Sequence, residues 1–298
     1  MKIVVTGANG QIGWELSRSL LPIAEVFSLD RMECDLSSPK SIAAVFESIR
    51  PDVIVNAAAY TSVDKAEAEQ DLAKSINGAA VELIAHEARR LNALLIHYST
   101  DYVFDGNKNS PYTETDVPNP VNAYGRSKLQ GDLSIQEVNP EHLILRTSWV
   151  YSSLGNNFLK TILRLSGERD ELSIVDDQKG SPTLARNIAD ATAHIIRQSV
   201  DDRASGNFLS GIYNLVSEGE TTWYGFAQAI IQEAESRGIL SKHNSPVVSP
   251  ISSETLGLLA RRPANSCLST EKIIKRFGIR LPDWRKALTY CPFPPNVR

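Results

Sequence analysis

Short apolar runs alternate with amphipathic stretches through the first half of the chain. The runs are rich in β-branched residues, and Val53-Ile54-Val55 is apolar without a break, so neither face of such a strand would meet water. The pattern predicts strands buried on both faces of a parallel sheet. The predicted strands are Lys2–Val5, Glu25–Leu29, Val53–Asn56, Leu94–Ser99 and His142–Thr147.

Between these strands, apolar residues recur at helical spacing. They stand four apart in Gln11–Leu20 and line one face of Ala73–Leu91, while Ser41–Ile49 follows a serine N-cap and a first-turn proline. Alternating strands and helices, joined by right-handed crossovers, predict an α/β fold with a doubly wound parallel sheet.

The pattern loosens after about residue 150. Helices are predicted at Phe158–Leu165, Leu184–Gln198 and Thr222–Arg237, strands at Leu172–Val175 and Ile212–Val216, and a polar linker at Asp201–Gly211. We therefore expect a first domain over residues 1–150 and a smaller α+β domain over residues 151–298. Segments within about 184–216 are expected to return to the first domain.

A glycine-rich turn joins the first predicted strand to the first helix. Gly7, Gly10 and Gly13 follow a Gly-x-x-Gly-x-x-Gly spacing, which lets backbone N–H groups approach a pyrophosphate at the helix N-terminus. Such a turn also occurs without a ligand, but its position after a strand favours dinucleotide binding. The second strand ends in Asp30-Arg31, where a carboxylate would hold ribose hydroxyls and a guanidinium a 2′-phosphate, so both NAD and NADP remain open.

Tyr124 and Lys128 stand four residues apart, which places them on one helix face. A nearby ammonium would lower the pKa of the phenol, as proton transfer at neutral pH requires. The spacing alone is weak evidence, and an exposed helix pair is the ordinary alternative. It gains weight because the fourth predicted strand ends close upstream in Ser99-Thr100-Asp101, at the sheet edge where such folds bind ligands.

Composition and the remaining motifs exclude several classes of function. The net charge of −4 disfavours nucleic acid and anionic membrane surfaces, and no apolar run reaches the length of a membrane span. Three separated cysteines favour a reducing, cytoplasmic compartment and no disulfide framework. There is no Gly-x-Ser-x-Gly motif, the five histidines lack metal-ligand spacing, and the acidic stretch Asp64–Asp71 is interpreted as a solvated helix face.

The chain resembles the extended short-chain dehydrogenase/reductase superfamily and, within it, the dTDP-4-dehydrorhamnose reductase family. The glycine turn and Tyr124–Lys128 belong to the superfamily. Motifs typical of this branch are His97–Phe104 (HYSTDYVF), Leu145–Tyr151 (LRTSWVY) and Arg262–Leu268 (RPANSCL), and the matches span almost the whole sequence in order. The resemblance implies a Rossmann-type cofactor domain and a nucleotide-sugar domain.

Residue roles follow from this resemblance position by position. Thr100, Tyr124 and Lys128 are the expected catalytic residues. Thr100 and Asp101 are also expected to contact the nucleotide sugar, together with Trp149, Asn157 and Arg262. The expected cofactor contacts are Gly7, Gly10, Gln11, Ile12, Gly13, Asp30, Arg31, Asp35, Leu36, Ala59, Tyr60, Thr61, Tyr98, Tyr124 and Lys128.

The flat ring of Trp149 suits the apolar side of a deoxysugar, although a core tryptophan is the plain alternative. Some family members bridge subunits through Mg²⁺ held by acidic side chains after Ser181-Pro182-Thr183. Arg186 and Asn187 stand near that point here, which argues against a metal site and leaves a homodimer open.

The resemblance implies NAD(P)H-dependent reduction of the C4 ketone of a dTDP-linked 4-keto-6-deoxyhexose, dTDP-4-dehydro-β-L-rhamnose, to dTDP-β-L-rhamnose for cell-surface polysaccharide. Two alternatives stay open. The chain could be a reductase or epimerase of another nucleotide 4-ketosugar, or a non-catalytic NADP-binding regulatory subunit.

Overall fold

A computed structural model of the protein describes residues 1–138, 141–241, 243 and 245–293. Residues 294–298, at the end of the second predicted domain, lie outside the described residues. The described strands are β1 (Lys2–Thr6), β2 (Glu25–Leu29), β3 (Val53–Asn56), β4 (Leu94–Thr100), β5 (His142–Thr147), β6 (Val150–Tyr151), β7 (Glu171–Val175), β8 (Lys179–Gly180), β9 (Thr183–Leu184), β10 (Gly211–Asn214), β11 (Thr221–Thr222) and β12 (Val247–Ile251).

Helices connect and cover these strands. The described α-helices are α1 (Gln11–Leu20), α2 (Pro39–Ile49), α3 (Val63–Ala68), α4 (Gln70–Lys74), α5 (Ala80–Leu91), α6 (Ala123–Val138), α7 (Phe158–Glu168), α8 (Ala185–Ala204), α9 (Trp223–Ser236), α10 (Ser253–Leu256), α11 (Glu271–Phe277) and α12 (Trp284–Tyr290). A π-helical turn spans Ser75–Ala79, and a 3₁₀ turn spans Asp101–Val103.

Six of the described strands form one parallel sheet in the order β2, β1, β3, β4, β5, β10. The order reverses between β1 and β3, so the connections after these two strands diverge and leave a crevice at their carboxyl ends. The α/β fold with a doubly wound parallel sheet is confirmed. The site described below lies along this edge.

Apolar side chains cover both faces of the sheet, which explains why its strands alternate so little. One core cluster joins Val5 and Ile96 to Leu16 of α1 and Ile188 of α8. The other joins Ile54, Leu95 and Ile144 to side chains of α2, α5 and α6. The two helix layers therefore hold the sheet rigid beneath the loops that follow its strands.

The second half of the chain is divided between two places. β10 pairs with β5 in the central sheet, and α8 packs against α1. A separate core, which includes Tyr151, Leu159 and Phe226, joins α7, α9 and α12 around short two-stranded pairings. This smaller α+β region faces the carboxyl edge of β5 through Trp149.

One sequence expectation needs refinement and another needs correction. The helical stretch predicted over Ala73–Leu91 contains a π turn at Ser75–Ala79, where the buried Asn77 side chain bonds both backbone groups of Tyr60. The predicted linker Asp201–Gly211 begins too early, since α8 continues to Ala204. Arg203 holds that last turn by donating to Glu141 Oε2 at 2.6 Å and to the Asn92 carbonyl at 2.7 Å.

Candidate active site

The glycine-rich turn after β1 is built for close backbone packing. Gly7 has a φ of +74°, and a Cβ there would lie 2.8 Å from the Ala58 backbone. A Cβ on Gly13 would lie 2.1 Å from the Gly7 carbonyl oxygen. α1 begins directly afterwards with Gly10 as an N-cap that supplies no side chain, so its first N–H groups can bind an anion. The turn therefore fits a dinucleotide pyrophosphate.

The end of β2 carries the residues predicted to face the adenosine ribose. The Asp30 carboxylate accepts the Met32 N–H at 2.8 Å and the Asn9 amide at 3.1 Å, which holds it beside the glycine turn. The Arg31 side chain is 79% exposed, and its Nε lies 3.8 Å from Asp35 Oδ1. Leu36 is buried beneath them. Asp30 is thus held in place, whereas Arg31 is surrounded by solvent.

The loop Ala59–Thr61 after β3 is anchored to the helix that carries the tyrosine. Asn77 accepts the Tyr60 N–H at 2.8 Å and donates to the Tyr60 carbonyl at 3.0 Å and to Ser127 Oγ at 3.0 Å. The Tyr60 phenol donates to Glu69 at 2.7 Å. The π turn therefore fixes the distance between this predicted cofactor loop and α6.

Thr100 and Asp101 lie together at the carboxyl end of β4. Thr100 Oγ1 accepts the Tyr102 N–H at 3.2 Å and donates to Asp101 Oδ1 at 2.9 Å. Burial raises the pKa of Asp101 to about 6, against hydrogen bonds from Ser266 and Thr100 that favour the carboxylate. Within the described chain, Asp101 Oδ2 is buried without a hydrogen-bond partner, so it can accept a hydrogen bond from a ligand.

Helix α6 brings Tyr124 and Lys128 to this edge. Glu67 Oε1 accepts the Ala123 N–H at 2.7 Å, which anchors the first turn. A Cβ on Gly125 would lie 2.1 Å from the Tyr102 carbonyl oxygen, so only glycine allows α6 to pack this closely against the 3₁₀ turn. Thr100 is near enough to Tyr124 to share a hydrogen bond with its phenol. The predicted catalytic residues therefore converge.

Lys128 lies in a buried polar cluster. Its Nζ is 2.6 Å from the Tyr98 carbonyl oxygen and 3.0 Å from His97 Nε2. Burial lowers the pKa of Lys128 to about 8, although the carboxylate of Asp132, one turn further along α6, opposes the shift. Arg146 Nη2 lies 3.6 Å from Asp132 Oδ2 and completes the cluster.

The phenol of Tyr124 differs from expectation in its ionisation. Burial raises its pKa, and the hydrogen bond with Thr100 opposes that rise only in part. In the protein alone the Lys128 Nζ is bonded to Tyr98 and His97, so its effect on Tyr124 stays a prediction. The raised pKa keeps the phenol protonated at neutral pH, as a proton donor requires.

Trp149 follows β5 with a strained backbone φ of +45°. Its ring stacks on Trp223 at a centroid distance of 3.5 Å and an interplanar angle of 5°. A Cβ on Gly180 would lie 2.4 Å from the ring. Both indoles are only partly buried, so the stack forms an aromatic wall beside the β5 edge.

Several predicted site residues have side chains bonded to other parts of the protein, among them Tyr98, Asn157 and Arg262. The Tyr98 hydroxyl lies 2.7 Å from Thr192 Oγ1 on α8, so only its carbonyl reaches Lys128. Asn157 caps α7 and donates to Gln11 Oε1 at 2.8 Å. Arg262 pairs with Asp64 at 2.7 Å. The last two contacts tie the second half of the chain to the cofactor half.

The acidic stretch Asp64–Asp71 is therefore more than the solvated face predicted from the sequence. Asp64 binds Arg262, Glu67 caps α6 at Ala123 and Glu69 accepts the Tyr60 phenol, so three of its carboxylates are used at the site. The partners of Asp64 and Glu67 are at least 56 residues away along the chain, which is why local spacing did not reveal those two contacts.

No cluster of His, Cys, Asp or Glu side chains suited to a metal ion occurs among the residues that the structure describes. On α8, Arg186 pairs with Glu15 at 3.3 Å, and Asp190 pairs with Arg18 at 2.6 Å. Within the same described ranges, no helix is long and apolar enough to cross a membrane.

Sequence reasoning missed three residues of the site. His97 was grouped with unremarkable core or surface histidines, whereas its ring contacts Lys128. Asp132 stands four residues after Lys128 on α6, a spacing that could have revealed it. Trp223 lies 74 residues after Trp149, and only the folded chain brings the two rings together.

Comparison with known proteins assigns the family. Residues 1–292 match the family model described as the RmlD substrate binding domain. The chain is 52% identical over 292 residues to the dTDP-4-dehydrorhamnose reductase of Burkholderia thailandensis, which covers 98% of both chains. It is 46% identical to the Escherichia coli K12 enzyme of that name, covering 96% of this chain and 95% of the other.

A solved structure agrees with these sequence relatives. The dTDP-4-dehydrorhamnose reductase of Bacillus anthracis, in complex with NADP, superimposes with a TM-score of 0.86 at 35% identity and covers 96% of each chain. Sequence, fold and the order of the motifs therefore agree: the chain belongs to the dTDP-4-dehydrorhamnose reductase family.

Proposed function

We propose that the protein is an NAD(P)H-dependent oxidoreductase that reduces dTDP-4-dehydro-β-L-rhamnose to dTDP-β-L-rhamnose, for use in cell-surface polysaccharide. The convergence of Thr100, Tyr124 and Lys128 at the carboxyl end of β4 carries the proposal. Full-length relatives of the same name support the substrate.

The residues of the glycine turn fit the dinucleotide. A Cβ at Gly7 or Gly13 would overlap the backbone, and Gly10 leaves the α1 N-terminus free of a side-chain cap. A bound nicotinamide supplies the hydride for the ketone carbon. Asp30 holds the ribose hydroxyls, and the exposed Arg31 accommodates a 2′-phosphate, so the site accepts NADH and NADPH.

Proton delivery belongs to the chain's own residues. The Tyr124 phenol donates its proton to the oxygen that becomes the C4 hydroxyl, and Thr100 Oγ1 hydrogen-bonds that oxygen. Lys128, when charged, orients the nicotinamide ribose and stabilises the tyrosinate left behind. Because burial raises the pKa of Tyr124, the acid form is present before substrate arrives.

We assign the sugar to the second half of the chain. Residues 1–150, joined by β10 and α8, form the cofactor half, and the region around α7, α9 and α12 covers the nucleotide sugar. Trp149 offers its indole to the apolar side of the deoxysugar. The family resemblance adds Asp101, Asn157 and Arg262 as further contacts, although Asn157 and Arg262 are bonded to Gln11 and Asp64 in this structure. Of the proposed sugar contacts, Asp101 is the best supported, because its Oδ2 lacks a hydrogen-bond partner within the described chain.

Location and assembly are also proposals. The three cysteines are buried thiols, which supports a reducing, cytoplasmic compartment. A homodimer would form without a bridging metal ion, because Arg186 and Asn187 stand on α8 where the family's metal-binding members have acidic side chains, and Arg186 pairs with Glu15. Sedimentation with and without EDTA tests the assembly, and a dimer that EDTA dissociates would contradict it.

Steady-state assay of NADPH oxidation with the dTDP-ketosugar tests the function, with Tyr124→Phe alongside. The variant keeps the ring and the helix but lacks the proton, so kcat should fall by roughly 10²–10⁴ while cofactor affinity stays nearly unchanged. Activity within tenfold of wild type would end the tyrosine assignment.

The same assay separates the alternatives. Faster turnover of another nucleotide 4-ketosugar, or epimerised product without net NADPH consumption, would favour a different enzyme of this superfamily. Cofactor binding without turnover of any ketosugar would favour the regulatory subunit.

A further inference from the structure

His97 lies between two groups that both present N–H bonds to it. On one side its Nδ1 is 3.1 Å from the Asn56 side-chain nitrogen, and on the other its Nε2 is 3.0 Å from Lys128 Nζ. All three side chains are at most 2% exposed, so water does not replace either contact. A neutral imidazole carries one N–H and one acceptor nitrogen, and therefore cannot accept from both neighbours.

The orientation of Asn56 decides which nitrogen of His97 accepts. Asn56 Oδ1 receives the Thr6 hydroxyl at 2.7 Å and the Ala58 backbone N–H at 3.3 Å. A backbone amide can only donate, so the oxygen of Asn56 faces Ala58 and its NH₂ group faces His97. His97 Nδ1 must then accept, and the ring proton lies on Nε2, directed at Lys128.

Lys128 is the third group whose donors and acceptors must be assigned. An ammonium has three donors and no lone pair, so it cannot face an Nε2–H at 3.0 Å. The amine can accept from His97 and donate to the Tyr98 carbonyl at 2.6 Å. The hydrogen-bond geometry of the cofactor-free protein thus belongs to uncharged Lys128.

The charges around Lys128 agree with this assignment. The titratable groups that face it are His97 from β4 and Asp132 on its own helix, and Arg146 from β5 pairs with Asp132 at 3.6 Å. The guanidinium is permanently charged and already balances the one carboxylate. A second buried cation would therefore have to share that carboxylate, and burial lowers the pKa of Lys128 to about 8 against the opposing effect of Asp132.

We infer that Asn56 and His97 form a two-position hydrogen-bond switch that sets the protonation state of Lys128. In one position His97 carries its proton on Nε2 and Lys128 is an amine. In the other, Lys128 is an ammonium, His97 accepts at Nε2 and carries its proton on Nδ1, and the Asn56 amide has rotated. Rotation turns its oxygen to His97 and ends the hydrogen bonds that this oxygen receives from the Thr6 hydroxyl and the Ala58 N–H. His97 is therefore a positioning residue that acts through Lys128.

This switch couples the protonation state of Lys128 to the hydrogen bonds of the loop after β3. The Ala58 backbone is the same segment that Gly7 approaches, so the cofactor loop and the lysine share Asn56. The catalytic consequence rests on the proposed reductase function, in which charged Lys128 is the working form. The switch itself does not, and its test uses the cofactor-free protein without turnover.

Nuclear magnetic resonance of protein labelled with ¹⁵N-histidine and ¹⁵N-lysine tests the switch between pH 6 and 10. We expect the His97 proton to move from Nδ1 to Nε2 as pH rises, with the midpoint at which Lys128 loses its proton and without the ring becoming charged. A His97 tautomer that stays constant while Lys128 titrates, or one that moves the opposite way, would overturn the inference.

Two variants separate the switch from a general charge effect. In Asn56→Asp, the carboxylate accepts from His97 Nδ1–H in either orientation, so the ring proton should stay on Nδ1 at every pH. The pH at which Lys128 loses its proton should then rise by at least about one unit. Asp132→Asn, the control, removes a charge without touching Asn56.

The control should lower the Lys128 midpoint while the His97 tautomer still follows it. A tautomer that still switches in Asn56→Asp, or that no longer follows Lys128 in Asp132→Asn, would contradict the proposal. If Asn56→Asp does not fold, the wild-type titration and the control still decide.

Discussion

Two regions meet at the carboxyl edge of the sheet, one formed by backbone atoms and the other by side chains. The turn from Thr6 to Gly13 is formed by backbone, and a Cβ on Gly7 or Gly13 would lie 2.8 Å or 2.1 Å from other backbone atoms. The cluster beneath α6 is formed by side chains, with Lys128, Asp132 and Arg146 buried together. Sterics constrain the first region, whereas the cost of burying charge constrains the second.

The difference determines how each region responds to change. Backbone N–H groups do not titrate near neutral pH, so the turn should bind anions over a wide pH range but tolerate no added methyl group at Gly7 or Gly13. The side-chain cluster contains groups whose pKa values are shifted by burial, so its state should follow pH. Thr6 and Asn56, joined at 2.7 Å, connect the two regions.

The largest effect is expected where the backbone is most crowded. Gly13→Ala places a methyl group 2.1 Å from the Gly7 oxygen and should lower the free energy of unfolding by about 3 kcal/mol, with weaker binding of NADH and NADPH alike. Chemical denaturation and cofactor titration measure the two effects. The control Gly10→Ala meets its nearest atom at 3.2 Å and should cost under about 1 kcal/mol. Equal losses would show that crowding does not limit the turn.

Substitution of Trp149 tests the side chains at the proposed substrate end of the site. Trp149→Ala should lower kcat/KM for the nucleotide sugar by about 2 kcal/mol, or roughly 30-fold, because the sugar loses its apolar contact. Reduction of a small unrelated ketone should hardly change. Trp223→Ala, the matched control from the other half of the stack, should reduce the melting temperature more than the specificity. A large drop in melting temperature for Trp149→Ala, with normal activity per folded molecule, would refute the substrate role.

Lys128 should make stability depend on pH. Its folded-state pKa of about 8 lies below the ordinary 10.5, so between these values the unfolded chain binds more protons and the free energy of unfolding rises with pH. Relative to Lys128→Met, wild type should gain up to about 1.4 kcal/mol per pH unit. Urea denaturation of both proteins from pH 8 to 9.5 measures this, because other titrating groups cancel in the difference. A constant difference would mean that Lys128 does not change charge in this range.

The smallest effect belongs to the exposed Arg31. NADH and NADPH should differ in kcat/KM by no more than about 1–2 kcal/mol, because Asp30 and Arg31 act in opposite directions on a 2′-phosphate. Arg31→Ala should weaken NADPH by about 1 kcal/mol and leave NADH nearly unchanged, since a solvated charge contributes little. Equal losses for both cofactors would show that Arg31 does not contact the phosphate.

The sequence predicted the sheet and many of the site residues because strand burial and motif spacing are both visible in short stretches of sequence. Glu25–Leu29, Val53–Asn56 and His142–Thr147 are strands with the predicted ends, and α1 spans the predicted Gln11–Leu20. Hydrophobic periodicity reports which face of a single element is buried, and the strands of this sheet are buried on both faces. The π turn inside the helical stretch Ala73–Leu91 was not predicted, because Asn77 bonds to Tyr60, a contact that periodicity cannot detect.

By itself, the sequence determined the parallel sheet, the glycine turn and the residue types at the carboxyl edge, since strand burial and glycine spacing are local properties. Only the tertiary structure brought His97 to Lys128, Trp223 to Trp149 and Arg262 to Asp64. Those contacts join residues between 31 and 198 positions apart, and the contact between His97 and Lys128 is also buried from water. A histidine flanked by apolar residues predicts a buried ring, but which of its nitrogens carries the proton is decided by the donors and acceptors that the fold places around it.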